Sequence, residues 1–231
     1  MLTEIDKIIR ERRSIRAFLD TPVSKEVICE ILETASYAPS GTNVQPWKVY
    51  VVAGKKKQAI CDKVCEVINE IYVNPEKKSA YQEAFNYYPT EWISPYIDRR
   101  RQNGWALYGL LNIQKGEKEK MHQQHLGNYR FFDAPIGMFF TLNKVLGDGS
   151  KLDTAMFMQN IMLSAKSHGL DTCAQAAWNA YHSIVLPLLN AGEDEILVSA
   201  MALGYADKNA IVNQMQPTRE SVEQFTNWQI D

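Results

Sequence analysis

Apolar residues spaced three and four positions apart predict three helices in the first third of the chain. The first helix starts after Thr3, whose side chain suits an N-cap, and leads into the basic residues 10–16. The second starts after Ser24 and stops before Pro39, because the residue before a proline avoids the helical region. The third covers residues 55–74. The apolar faces of the three helices are Ile5, Ile8 and Ile9; Val27, Ile28, Ile31, Leu32 and Ala35; and Ile60, Val64, Val67, Ile68 and Ile71.

Short runs rich in β-branched and aromatic residues predict the strands of a sheet. The first run, residues 47–53, is apolar enough for a buried strand. A glycine turn is expected at 147–149 and a helix at 183–190. The remaining predicted strands are 136–142, 171–174 and 195–203. These elements do not follow a strict strand-helix-strand rhythm, which favours an α+β sandwich over a doubly wound sheet.

Residues 153–168 predict one further helix, which ends at Gly169. Its apolar side chains cover most of its circumference. A helix of that kind is buried on all sides, so we expect it in a core or in a subunit interface.

Two segments differ from the rest of the chain in composition. Residues 75–130 combine crowded aromatics and prolines with three consecutive arginines, and we interpret them as a helical insertion that covers the core as a lid. Residues 205–231 show little periodicity and must dock onto other elements to be ordered. The length fits one domain, so we expect residues 1–231 to form a single domain with these two additions.

Composition excludes several classes of protein. The 231 residues are 45% hydrophobic and carry a formal net charge of −2, so no bulk charge attracts nucleic acid or a membrane surface. No apolar run approaches the roughly 20 residues of a membrane span. The acidic start lacks the pattern of a secretory signal, and the four scattered cysteines suggest reduced thiols. We therefore expect a cytoplasmic protein without a metal site.

The strongest local motif lies just after the first helix, at residues 12–16. In an extended chain, Arg12, Ser14 and Arg16 point to one side, and Arg13 and Ile15 point to the other. Two guanidinium groups and a hydroxyl would then converge on one anion, since arginine forms bidentate bonds with phosphate. The alternative is a solvated basic end of a helix.

A second unusual stretch occupies residues 38–47. It combines a helix stop, a glycine that permits close approach of the backbone, and two carboxamides that both donate and accept. Such a mix suits a planar heterocycle with carbonyl and N–H edges. The alternative is an ordinary polar loop. The residues of interest here are Pro39, Ser40, Gly41, Asn43 and Gln45.

Together these segments resemble the nitroreductase family of FMN-dependent oxidoreductases. The family motif Arg-x-Ser-x-Arg/Lys corresponds to residues 12–16, and the motif Pro-Ser-x-x-Asn-x-Gln-Pro-Trp corresponds to residues 39–47. A basic residue of the tail, here Arg219, follows in the expected order. The resemblance implies a central, mostly antiparallel sheet flanked by helices, with a C-terminal extension that wraps the partner of a homodimer.

The resemblance also implies how FMN would be bound at the dimer interface. Arg12 and Arg219 would bind its phosphate, Ser14 the phosphate or ribityl chain, and Arg16 the N1–C2 carbonyl edge of the ring. Arg13 would contribute through its backbone. The remaining cofactor-binding residues are Pro39, Ser40, Gly41, Asn43 and Gln45, partly from the opposite subunit, and Gln175, Ala176 and Ala177, whose backbone would face N5.

The implied activity is the reduction of nitroaromatic or quinone acceptors by NADH or NADPH, through hydride transfer at flavin N5 in a ping-pong cycle. No catalytic protein side chain is needed. The insertion resembles that of nitrobenzoate reductases, and Trp92, Tyr96 and Arg99 are the candidate contacts for a small aromatic substrate. Two alternatives remain: dehalogenation, flavin cleavage or dehydrogenation on the same fold, and a non-enzymatic RNA- or anion-binding protein.

Overall fold

The computed structural model describes residues 2–230, which fold into a four-stranded sheet with helices on both faces. The strands are β1 (Lys48–Ala53), β2 (Ile136–Asn143), β3 (Asp171–Gln175) and β4 (Glu195–Gly204). The helices are α1 (Glu4–Glu11), α2 (Lys25–Ala35), α3 (Gly54–Val73), α4 (Tyr96–Leu110), α5 (Lys118–Leu126), α6 (Asp148–Ser167), α7 (His182–Leu189) and α8 (Val222–Phe225).

The sheet has the order β1-β2-β4-β3, and every neighbouring pair is antiparallel. Phe139 of β2 lies opposite Tyr50 on one side and Ala200 on the other, and Cys173 of β3 lies opposite Ala202. The expected α+β fold with a central antiparallel sheet is therefore confirmed.

Two apolar cores cover the two faces of this sheet. On one face, Trp178, Phe131 and Phe139 pack together beneath α3 and α7. On the other, α2 and α6 pack on β2, with Ile31 and Ile161 fully buried. Because β2 and β4 are covered on both faces, their sequences are nearly continuous runs of apolar residues.

The ends of the first two helices follow from local chemistry, as predicted. The Thr3 hydroxyl accepts a hydrogen bond from the Asp6 amide, and the Asp6 carboxylate accepts one from the Thr3 amide, which makes a capping box. The Ser24 hydroxyl accepts from the Val27 amide at the start of α2. These N-caps fix where α1 and α2 begin, and the basic motif follows the C-terminal end of α1.

The structure corrects two of the predicted elements. The strand at 47–53 is not buried: β1 starts at Lys48 and lies at the edge of the sheet, with Val52 its one buried side chain among six. The predicted turn at 147–149 is the start of α6, which therefore begins at Asp148. Nor is α6 buried on all sides in this chain, because Leu152 and Met156 are exposed.

A buried carboxylate fastens the end of the sheet. Glu195 accepts hydrogen bonds from Lys48, Tyr50, Thr141 and the amide of Gly192, at 2.5 to 3.0 Å. Burial opposes its ionisation, but these bonds together lower the pKa of Glu195 to about 2.

Residues 75–130 contain α4, α5, the 3-10 segment Pro75–Ala80 and the start of the 3-10 segment Gly127–Asp133, whereas the tail after β4 runs mostly without regular structure. None of the α4 side chains is buried in the described chain. Within residues 2–230, no helix has the length and hydropathy needed to cross a membrane.

Candidate functional site

The basic motif after α1 is extended, and three of its side chains lie together as the alternation predicts. Ser14 forms a bridge with Thr172 of β3, and the Ile15 amide donates to the Thr172 carbonyl over 3.0 Å. Arg16, Ser14 and Arg12 all lie near the Cys173 thiol: burial raises the pKa of this thiol and these three groups lower it. The two arginines and the serine therefore share one side of the segment.

Of the two residues between them, Ile15 faces a different space, whereas Arg13 lines both that space and the cavity of Arg12. Arg13 and Ile15 line a cavity of about 550 Å³ together with Lys166 of α6. Ile15 therefore alternates with Ser14 and Arg16, as expected for the side chains of an extended chain.

Arg219 of the tail lies near Arg12. The two side chains line the same cavity, of about 500 Å³. Burial and the positive charge of Arg219 both lower the pKa of Arg12. Among residues 2–230, no carboxylate lies within ion-pair distance of Arg12, Arg16 or Arg219. Arg12 and Arg16 are half-buried, whereas Arg219 is exposed and donates to the carbonyls of Pro217 and Thr218. Arginines without a carboxylate partner suit an anion, so the donor set fits the phosphate of a nucleotide.

An asparagine that the sequence did not indicate fastens this motif to the tail. Asn213 Oδ1 accepts from the Arg16 amide over 2.7 Å, while its Nδ2 donates to the carbonyls of Ala17 and Asp207. It lies in an aperiodic segment, where nothing in the sequence distinguishes it. Asn213 holds Arg16 in register with the tail that carries Arg219.

The stretch 175–177 lies at the end of the same strand. Thr172 is beside Ser14 and Gln175 is three residues further on, about 10 Å along β3. Gln175 is buried; its Nε2 donates to the Asn128 carbonyl over 2.6 Å, and its Oε1 has no partner in the described chain. Ala176 and Ala177 are half-buried. The basic motif at 12–16 therefore lies beside β3, and residues 175–177 lie at the end of the same strand.

The loop at residues 39–45 is shaped by unusual backbone angles. Thr42, Asn43 and Gln45 have φ values of 48°, 60° and 49°, a region that residues other than glycine rarely adopt. The Ser40 hydroxyl holds the loop by accepting from the Gln45 amide over 2.9 Å. After Pro39, which is exposed, the chain thus forms a preset turn rather than a mobile loop.

This loop lies away from the arginines of its own chain. Its Gly41 amide donates to Asp153, near the start of α6, whereas Arg13 lines a cavity with Lys166, near the end of α6. Thirteen helical residues separate these two positions, which is about 20 Å. One chain therefore places the loop near one end of α6 and the cavity of Arg13 near the other.

The candidate substrate residues lie at the start of α4. Trp92 is half-buried and Tyr96 is exposed. Arg99 Nε donates to Glu220 of the tail over 2.8 Å, and the Arg100 guanidinium lies 4.8 Å from the centre of the Trp92 ring. The first two arginines of the triplet thus have different partners.

Comparison with known proteins agrees with this architecture. The model of the nitroreductase family matches residues 9–205, so the chain belongs to the nitroreductase family. Among curated proteins it is 36% identical to the nitrobenzene nitroreductase of Ectopseudomonas oleovorans over 96% of this chain and 95% of that one. It is 34% identical to the 4-nitrobenzoate reductase of Pseudomonas putida over 97% of this chain and 95% of that one.

A solved structure shows the same fold over the whole length. The FMN and NADPH-dependent nitroreductase NfnB from Sphigopyxis sp. strain HMH superposes with a TM-score of 0.92 at 34% identity, covering 99% of this chain and all of that one. The resemblance stated from the motifs is therefore confirmed at the level of the family.

Proposed function

We propose that this protein is an FMN-dependent oxidoreductase that uses NADH or NADPH to reduce nitroaromatic acceptors. The observation that carries the proposal is the arginine pair Arg12 and Arg219, which lines one cavity, shared with Glu11, and forms no ion pair with a carboxylate of residues 2–230. Relatives and a structural neighbour named as nitroreductases, one of them as FMN- and NADPH-dependent, support it.

In this proposal each residue has a defined task. Arg12 and Arg219 bind the phosphate, Ser14 donates to the phosphate or ribityl chain, and Arg16 places its charge beside the N1–C2 carbonyl edge. Arg16 would then stabilise negative charge on the ring and raise the midpoint potential. The backbone of residues 175–177 borders the reactive face. When bound, FMN supplies the redox chemistry at N5, so no protein nucleophile is needed.

We further propose that the site is completed by a second copy of the chain. The loop at 39–45 lies at the start of α6, and the cavity of Arg13 lies near its end, about 20 Å away, so in a homodimer the partner would supply its Ser40, Gly41 and Asn43. Exposed apolar side chains support such an interface. They are Ile5 and Ile9 of α1, Leu152 and Met156 of α6, and Val222, Phe225, Trp228 and Ile230 of the extension.

The segment 75–130 is proposed as the lid over a small aromatic substrate. Trp92 and Tyr96 offer ring faces for stacking. Arg99, the predicted partner of a substrate carboxylate, is bonded to Glu220 in this chain, whereas Arg100 lies beside Trp92. A cytoplasmic location is proposed on the four free cysteines.

Dehalogenation has weaker support. The iodotyrosine dehalogenase homolog of Caenorhabditis elegans is 25% identical, and this chain covers 59% of its length. The nitrobenzoate reductase is 34% identical and 95% covered.

The test is direct. Purified protein should be yellow with bound FMN and should oxidise NADH or NADPH when nitrobenzene or 4-nitrobenzoate is added. Iodotyrosine and quinones are the comparison substrates. Arg12→Ala is the matched variant, since it should lose FMN without unfolding. A colourless protein that binds no added FMN would refute the proposal.

A further inference from the structure

The tail carries a carboxylate immediately after the arginine that shares the phosphate cavity. Arg219 lines that cavity with Arg12, but the next residue, Glu220, is bonded to α4 instead. There, Arg99 Nε donates to Glu220 Oε1 over 2.8 Å. α4 and the tail enclose a further cavity of about 330 Å³ around this pair, and Arg219 lines this cavity too, so Glu220 would be within reach of Arg219 if it were released. Glu220, the carboxylate adjacent to Arg219 in the sequence, is therefore bonded to Arg99.

The bonding of Glu220 to Arg99 is relevant to phosphate binding because carboxylates and phosphates accept the same charge-assisted hydrogen bonds from arginine. Glu220 is joined to Arg219 through the backbone, so a released Glu220 side chain would compete for its guanidinium at a high effective concentration. The Arg99 and Glu220 side chains are 46% and 36% exposed, so their ion pair contributes little to folding stability. What the ion pair affects is whether the Glu220 carboxylate is free to bind the Arg219 guanidinium.

We propose that Arg99 holds Glu220 away from Arg219 and thereby reserves the Arg12 and Arg219 pair for the phosphate of the cofactor. Arg99 is then a positioning residue, acting through Glu220, and not a contact for the substrate. The inference rests on the proposed function, because it takes Arg12 and Arg219 as the phosphate ligands.

The experiment measures flavin binding by the full chain after its flavin has been removed, using quenching of flavin fluorescence. The ligands are FMN and riboflavin, which carries the same ring without the phosphate. We expect Arg99→Ala to weaken FMN binding about fivefold to tenfold, as competition by one tethered carboxylate implies. The double variant Arg99→Ala with Glu220→Gln should return close to the parent affinity, because the competitor has lost its charge.

Two further variants separate charge from packing. Arg99→Lys keeps a cation opposite Glu220 and should bind FMN nearly as the parent does. Arg101→Ala, on the same helix and without an ion-pair partner among residues 2–230, is the matched control and should leave FMN binding unchanged. Riboflavin affinity should be the same in all of these proteins.

The inference is overturned if Arg99→Ala binds FMN like the parent, if the double variant is as weak as the single one, or if riboflavin binding falls in parallel. A parent protein that binds neither flavin would instead refute the proposed function, and this inference with it. Parent-like FMN binding in the double variant, with weakened binding in Arg99→Ala alone, supports it.

Discussion

Replacing Arg12 with alanine removes one of the two guanidinium groups from the cavity that we assign to the FMN phosphate. A hydrogen bond between charged groups contributes about 1.5–3 kcal/mol. Arg12 is half-buried and has no carboxylate partner in residues 2–230, so solvent screening and an alternative ion pair take little from this contribution. We therefore expect Arg12→Ala to raise the dissociation constant for FMN about tenfold to a hundredfold.

The same substitution should not weaken the protein in the absence of FMN. Burial and the charge of Arg219 both lower the pKa of Arg12, which means that its charged form is disfavoured there until an anion binds. The melting temperature of the flavin-free protein should thus stay the same or rise. At FMN concentrations a hundred times the parent dissociation constant, ligand stabilisation should fall from about 2.7 kcal/mol to between about 0.4 and 1.4 kcal/mol.

The assay combines a fluorescence titration with FMN and riboflavin and thermal unfolding with and without FMN. Arg101→Ala is the control for removal of an arginine. The phosphate assignment fails if Arg12→Ala binds FMN within about twofold of the parent, or if riboflavin loses as much affinity as FMN.

Three other changes test separate parts of the structure. Arg16→Ala should lower the midpoint potential of bound FMN, measured by spectroelectrochemistry on fully loaded protein, and an unchanged potential would exclude a position beside the N1–C2 edge. Glu195→Gln should make the free energy of unfolding depend less on pH in the acid range. The folded-state pKa of Glu195 is depressed from 4.5 to about 2. Its contribution to the free energy of unfolding, at most about 3 kcal/mol, is therefore present above pH 4.5 and lost as the pH falls through 2. Denaturation curves at several pH values check this, and parallel pH profiles for parent and variant would contradict it. Arg100→Ala should lower kcat/KM for 4-nitrobenzoate about tenfold while sparing nitrobenzene, because Arg100 lies beside Trp92. Equal effects on both substrates would remove it from carboxylate recognition.

The elements that could be predicted are those whose signals are local. Thr3 and Ser24 cap their helices through side chains three residues from their partners, so sequence alone locates both starts. The start of α6 was missed because its first turn is polar: Asp148 pairs with Lys151, and that turn shows no apolar periodicity. The edge position of β1 depends on the order of strands, which its own residues do not encode.

The contacts of the candidate site likewise include some that local sequence predicts and some that it does not. Alternation within five residues predicts that Arg12, Ser14 and Arg16 share one side of the chain. All three lie near Cys173, although Arg13 lines the cavity of Arg12 as well. The bonds of Asn213 to Arg16 and of Glu220 to Arg99 span 197 and 121 residues, and both begin in a tail without periodicity. No pattern in the sequence predicts pairings of that range, so they required the three-dimensional structure.

The position of the loop at 39–45 leads to a prediction about how the site is assembled from two chains. The loop is held by its backbone angles and by the bond to Asp153 at the start of α6, whereas Lys166, on the cavity that Arg13 lines, lies about 20 Å further along α6. If both parts bind one FMN, they come from different copies. Arg12→Ala and Asn43→Ala, each poor at binding FMN as a homodimer, should then complement one another when their subunits are unfolded, mixed and refolded. Random pairing places one intact site in each mixed dimer, or about a quarter of all sites. Recovery of that fraction of FMN binding is expected, whereas a mixture that binds no better than its components would mean that each site is built within one chain.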